Sequence, residues 1–126
     1  MKIFDCFMFF DEEMLLDLRL NVMNNYIDKF VITEATYMHS GKPKRLSFDI
    51  NKFSKFRDKI IYNVVDKQPS NLETINKYDS KELRGSKLIN NSLKRENYQR
   101  EMGMNSLNDV SNDDIILIND IDEIPN

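Results

Sequence analysis

The sequence predicts an α/β domain built on a mainly parallel sheet flanked by helices. Apolar, β-branched segments alternate with segments of helical composition along the chain, the order that builds parallel strands joined by crossovers. The stretch Ile115 to Ile118 is apolar without interruption, as a parallel strand covered on both faces reads. At 126 residues the chain amounts to one domain, enough to bury about two thirds of its unfolded surface.

Each element has its own reason. Residues 2–10, KIFDCFMFF, form a first core strand. Asp11, Glu12 and Glu13 follow where a helix N-terminus favours negative charge. Met14, Leu15, Leu18, Val22 and Tyr26 then recur at helical spacing, which predicts an amphipathic helix over 12–25. KFVITEAT (29–36) is the second strand. Gly41 and Pro43 make 39–46 a loop. A short helix over 50–58 leads into a third strand, 59–65, and the polar stretch 66–80 is a long loop. Residues 81–107 have helical composition, bent or broken near Gly103, and 114–120 is the fourth strand.

Composition excludes several classes. An apolar fraction of 40% and a charged fraction of 31% are those of a globular protein rather than a disordered polyelectrolyte. A net charge of −3 gives no basic surface for nucleic acid. No run of about 18 apolar residues is present to span a membrane, and the N-terminus lacks the pattern of a cleaved leader. One cysteine, Cys6, permits no internal disulfide and fits a reducing compartment. One histidine and one cysteine are too few for a zinc site, so any metal here is held by oxygen.

Oxygen ligands are at hand. Asp120 and Asp122 follow the fourth strand directly, and in open α/β sheets ligands bind beyond the carboxyl ends of the strands. Positions i and i+2 of an extended chain share one side, roughly 6–7 Å apart, so two such carboxylates can share one hard cation and leave coordination positions for phosphates. A D-x-D pair is also what a solvated acidic turn looks like. The preceding apolar strand, Glu123 and the Ile124-Pro125 exit favour the clamp. Competing sites lack their patterns: there is no Walker A loop, no G-x-G-x-x-G, and an EF-hand begun at Asp109 would put Asp114 where glycine is required.

Four segments, DCFMFFDEEMLLDLRLNVM, IDKFVITEATYMHSGKPKRLSF, RENYQREM and IILINDIDEIPN, taken together resemble glycosyltransferase family 17, which includes the β-1,4-mannosyl-glycoprotein 4-β-N-acetylglucosaminyltransferases. IILINDIDEIPN is similar to the family's D-x-D-E-I-P signature. DCFMFFDEEMLLDLRLNVM resembles its first strand, turn and helix, with Arg19 at the arginine. IDKFVITEATYMHSGKPKRLSF resembles a segment carrying Glu34, Gly41, Pro43, Lys44 and Phe48, and RENYQREM (95–102) its R-E-x-x-Q-R helix.

The resemblance implies a GT-A (Rossmann-like) half-domain over 1–126, ending at the D-x-D, with the acceptor half absent and the chain a fragment. It implies a UDP-sugar donor, UDP-GlcNAc above all, a glycan or polysaccharide acceptor, and a divalent cation, Mn²⁺ or Mg²⁺. Asp122 would be the metal ligand, Asp120 a second ligand or a ribose contact, and Glu123 a support behind them. A non-catalytic nucleotide-sugar or ion-binding domain is the alternative. The catalytic base is not identified. The family's eukaryotic members are Golgi membrane proteins; a Lys-, Asn- and Ile-rich chain without an anchor suggests a microbial or viral source and a cytoplasmic setting, peripheral at a membrane at most.

Other residues carry two readings each. Glu34, at a strand end, belongs to the donor site or pairs with a nearby cation. Arg95 and Arg100 bind the donor's phosphates or form a solvated face in which Glu96 and Arg100 pair at i, i+4. Lys42, Lys44 and Arg45 touch a diphosphate or an acidic glycan, or make a soluble loop. His39 is an exposed loop residue. Arg19 makes a structural ion pair, Phe7, Phe9 and Phe10 are core, and Asp5 or Phe7 could approach the donor base. Cys6 is buried filler.

Overall fold

The computed structural model describes residues 1–125. The domain boundary expected at Asn126 lies outside them. Four strands form one sheet: β1 (Ile3–Met8), β2 (Lys29–Ala35), β3 (Ile60–Val65) and β4 (Ile115–Ile118). All three pairings are parallel and the order across the sheet is β3-β2-β1-β4. The chain therefore leaves β1 in one direction to lay down β2 and β3, then returns to the other side of β1 for β4. The reversal makes a crevice beyond the carboxyl ends of β1 and β4, where open α/β sheets bind their ligands.

Alternation along the strands sorts the side chains onto two faces. Phe7, Phe30 and Ile32 meet Leu16, Leu20 and Met23 of helix α1 (Glu13–Met23), and Phe53 and Phe56 of the segment Ile50–Lys59 close the same core. Phe4, Cys6 and Val31 point the other way, towards Met104, Leu107 and Val110 at and beyond the end of helix α2 (Lys81–Met104). Ser80 caps α2 by accepting the amide of Leu83 at 3.1 Å. The loop 66–80 has no regular structure, as expected, but it is pinned to α2: Asn91 takes the Glu73 amide at 2.7 Å and donates to the Glu73 carbonyl at 2.9 Å.

Four expectations need correction. Of the residues predicted as the buried stripe of the first helix, only Leu15 packs against the core; Met14, Leu18, Val22 and Tyr26 face solvent, Met14 at 88% and Tyr26 at 71% exposure. The buried face is Leu16, Arg19, Leu20 and Met23. Both stripes are apolar at helical spacing, and the arginine made the true one read as polar. Residues 50–59 form 3-10 turns broken at Phe53 (φ −125°, ψ 32°) rather than an α-helix. Finally β4 is an edge strand, with Ile115 41% and Ile118 48% exposed. An uninterrupted apolar run marks a parallel strand, but one bonded on one side only is not thereby covered. α2 runs through Gly103 without a break and ends at Met104.

Candidate functional site

A cleft of about 530 Å³ opens beyond the carboxyl ends of the strands. Met8, Phe9 and Phe10 line it from the end of β1, Glu12 and Leu15 from the start of α1, and Ala35, Tyr37, His39 and Lys44 from the segment after β2. Gln99 of α2 and Asp120, Ile121 and Asp122 after β4 complete it. It thus sits at the switch between β1 and β4 and reaches across to β2.

The acidic wall is a turn held from behind. Glu123 donates its amide to the Asp120 carbonyl at 2.9 Å, and its carboxylate accepts the Asp120 amide at 3.1 Å. Ile121 is buried in the core, whereas Asp120 and Asp122 are exposed. Asp122 makes no hydrogen bond or ion pair among the described residues, and the nearest cation to Asp120 is Arg100 at 3.6 Å. Arg100 also reaches Glu96 at 3.5 Å, the i, i+4 pair of the solvated-face reading. Behind the turn, Arg19 donates to the carbonyls of Asp120, Ile121 and Glu123. Its other face makes a paired contact with Asp5, 2.8 Å from Nε and 2.7 Å from Nη2. Both side chains are 0% exposed, so Asp5 is not a lining residue and Phe7 lies beneath the guanidinium at 4.9 Å.

The opposite wall is a loop held from below. Glu34 is fully buried and each of its oxygens is used: Lys44 Nζ at 2.6 Å, the Ser47 amide at 2.6 Å, the Phe48 amide at 3.1 Å and the Tyr62 hydroxyl at 2.7 Å. It is absent from the lining. Lys44 lies over the Phe10 ring at 5.2 Å, while Lys42 and Arg45 of the same basic cluster are exposed. Arg95 donates to the His39 carbonyl at 3.0 Å and to Gln68 at 2.7 Å. Its guanidinium lies where a side chain at Gly41 would begin, 2.8 Å from that position, and Gly41 has a φ of +95°, so only glycine serves there.

His39, expected on an exposed loop, is half-buried and lines the cleft, its Nε2 3.1 Å from Gln99 Oε1. Gln99 was not singled out, nor were Glu12 and Tyr37. One pattern could have found Gln99: Arg95, Gln99 and Gly103 recur at i, i+4, i+8, a single face of α2, and that face meets the ends of the strands. Burial raises the Tyr37 phenol above its ordinary range, the neighbouring Tyr98 adds to the rise, and Arg95 opposes it. Its hydroxyl donates to the Lys67 carbonyl at 2.8 Å.

The donor set fits a hard divalent cation. Of the three carboxylates that line the cleft, Glu12 accepts the Phe10 and Asp11 amides, Asp120 lies beside Arg100, and Asp122 has no partner among the described residues; oxygen is the ligand that Mg²⁺ and Mn²⁺ take. No group of three or more His, Cys, Asp or Glu among the described residues is placed to enclose an ion. Such an ion would complete its shell with water and a ligand's phosphates, the usual Mg²⁺ arrangement.

An all-parallel sheet flanked by helices, with an acid-lined cleft at its strand switch, defines a Rossmann-like α/β domain of the ligand-binding kind. The sequence comparison narrows this. The family model for Glycosyltransferase family 17 matches residues 1–126, and the chain belongs to that family. No curated protein and no solved structure matches it. Membership implies a nucleotide-sugar donor and a glycan acceptor. Among the described residues no helix is long and apolar enough to cross a membrane.

Proposed function

We propose that the chain carries the donor site of a transferase that moves N-acetylglucosamine from UDP-GlcNAc to a glycan or polysaccharide acceptor with the help of Mn²⁺ or Mg²⁺. One observation carries this reading: Asp120 and Asp122 open together into the cleft at the switch between β1 and β4. Asp122, without a partner among the described residues, is the first ligand of the cation, and Asp120 is a second ligand or holds the ribose. The cation supplies Lewis-acid stabilisation for the departing diphosphate.

The rest of the site serves by position. Arg100, outside the cleft lining but 3.6 Å from Asp120, is assigned to the donor's phosphate oxygens. Glu34 and Arg95 contribute by holding the wall that contains Tyr37, His39 and Lys44. Glu123 braces the acidic turn through the Asp120 amide.

Calorimetric titration of UDP-GlcNAc into the chain with Mn²⁺ tests this, beside the same titration with Asp122→Ala. Saturable, metal-dependent binding that the substitution abolishes is the expected result. Equal binding with and without Mn²⁺, or equal binding by the variant, would remove the acids from the donor site. Binding of another nucleotide sugar in place of UDP-GlcNAc would reassign the donor.

A further inference from the structure

Arg19 is spent in an unusual way for a buried cation. A guanidinium offers five N–H donors in one plane. Nε and Nη2 go to the two oxygens of Asp5, and Nη1 goes to three backbone carbonyls, those of Asp120, Ile121 and Glu123. Nη1 has two hydrogens, so one is shared. Three carbonyls from four consecutive residues can meet one nitrogen only if the chain curls around it. With the carbonyls turned inward, Ile121 enters the core while Asp120 and Asp122 line the cleft.

A buried ion pair is a poor source of stability, because well-packed apolar residues of similar volume often do as well or better. Its geometry is what apolar residues cannot supply. Asp5 sits in the middle of β1 and Arg19 in the middle of α1, both rigid elements. The planar fork transmits their position to the acidic turn, whose register fixes where two carboxylates stand. Groups of this kind, one shell behind metal ligands, commonly change affinity by about 10–100-fold when removed.

We infer that Arg19, oriented by Asp5, is the positioning residue that sets Asp120 and Asp122 for a divalent cation. The inference rests on the proposed donor site above. It is distinct from a requirement for folding, since the pair's charge can be removed as a unit while the turn loses its donors.

The test uses the full chain and Mn²⁺ alone, with free ion followed by electron paramagnetic resonance. The wild type, Asp122→Ala, Arg19→Lys and the double variant Asp5→Leu/Arg19→Met are compared, each with its thermal unfolding curve. The double variant should unfold cooperatively, at a temperature lowered by the carbonyls left without donors, and bind Mn²⁺ at least about 10-fold more weakly. Arg19→Lys, which keeps the charge but has no fork, should also bind more weakly. Hydrogen exchange of the amides at 119–124 should accelerate in both variants while β1 and β2 stay protected. Folded variants with unchanged Mn²⁺ affinity and unchanged exchange would overturn the inference. If the double variant does not fold, Arg19→Lys decides the matter by the same two readouts. Wild-type protein whose Mn²⁺ binding is indifferent to Asp122→Ala would instead overturn the donor-site reading, with the exchange result still deciding whether Arg19 holds the turn.

Discussion

The buried Glu34 carboxylate takes the Lys44 ammonium at 2.6 Å, and that contact ties a wall of the cleft to the middle of the sheet. Glu34 comes from β2; Lys44 comes from the turn that follows it and lies over Phe10 at the cleft's rim. The same carboxylate also holds the Ser47 and Phe48 amides and the Tyr62 hydroxyl.

Removing that carboxylate should therefore cost more than one bond. Glu34→Ala leaves a buried ammonium and three further donors without their acceptor, a change worth about 3–5 kcal/mol. Urea unfolding of the variant measures it. A loss under about 1 kcal/mol would mean that the loop finds other acceptors.

Close packing of α2 on the sheet predicts a second effect. A methyl group added at Gly103 would lie 2.5 Å from Thr33 Oγ1, and Thr33 is β-branched with little rotamer freedom. Gly103→Ala should destabilise by about 1–3 kcal/mol. Combining it with Thr33→Ala should recover part of that loss, and a double-mutant cycle reads the coupling directly. Strict additivity of the two changes would refute the contact.

The proton on His39 is placed by Gln99. Gln99 donates its amide nitrogen to the Thr33 carbonyl at 3.0 Å, which leaves Oε1 facing His39 Nε2 at 3.1 Å. That oxygen can only accept, so Nε2 carries the hydrogen and Nδ1 keeps its lone pair. Nitrogen NMR of the neutral imidazole should show the Nε2–H tautomer, and Gln99→Leu should relax the preference. A wild-type Nδ1–H tautomer would contradict the pairing.

Stability should fall at both ends of the pH scale. Burial, aided by the charge of Asp5, pushes the Cys6 thiol up to about 12 from an ordinary 9.0. Burial and the Glu34 carboxylate raise the Tyr62 phenol above its usual range. In the folded chain both stay protonated where the unfolded chain has already lost the proton, so the unfolded state gains as pH rises. Their contribution is complete below about pH 9 and is lost progressively above it. Tyr62→Phe should flatten the descent above about pH 10. At the acid end, the hydrogen bond from Lys87 lowers Asp79, and the amides of Ser111 and Lys2 lower Asp114, from an ordinary 3.8. These contributions are present above about pH 4 and lost as pH falls through the folded values. Denaturation midpoints across the range measure both limbs.

The strand order was open to inference only in part. Alternating strands and helices give a parallel sheet because a crossover has to return the chain to the same edge direction, and all four strands fall within the apolar segments that predict them. Which strand lies at an edge is a matter of topology, and Ile115 and Ile118 look alike whether covered or bare. α1 was misread for a related reason: Arg19 is buried only because Asp5 and three carbonyls exist to receive it, and none of those partners is near it in sequence. The acids of the cleft were legible because a strand end and a paired carboxylate pattern are both local. His39, Gln99 and Tyr37 were not, since a turn at Gly41 and a helix about 60 residues away bring them together.

The separation between Arg19 and the turn it holds has a consequence for synthesis. The three carbonyl partners lie 101 to 104 positions after the arginine. At roughly 5–20 residues per second, a ribosome delivers them on the order of 5–20 s after Arg19 has left the peptidyl centre. Throughout that interval β1, α1 and β2 can assemble with the Asp5 pair in place, but one guanidinium nitrogen still bonds to water. The last native contacts of the acidic turn are thus post-delivery events, and the nascent chain waits for them with a wetted seam between its first strand and first helix.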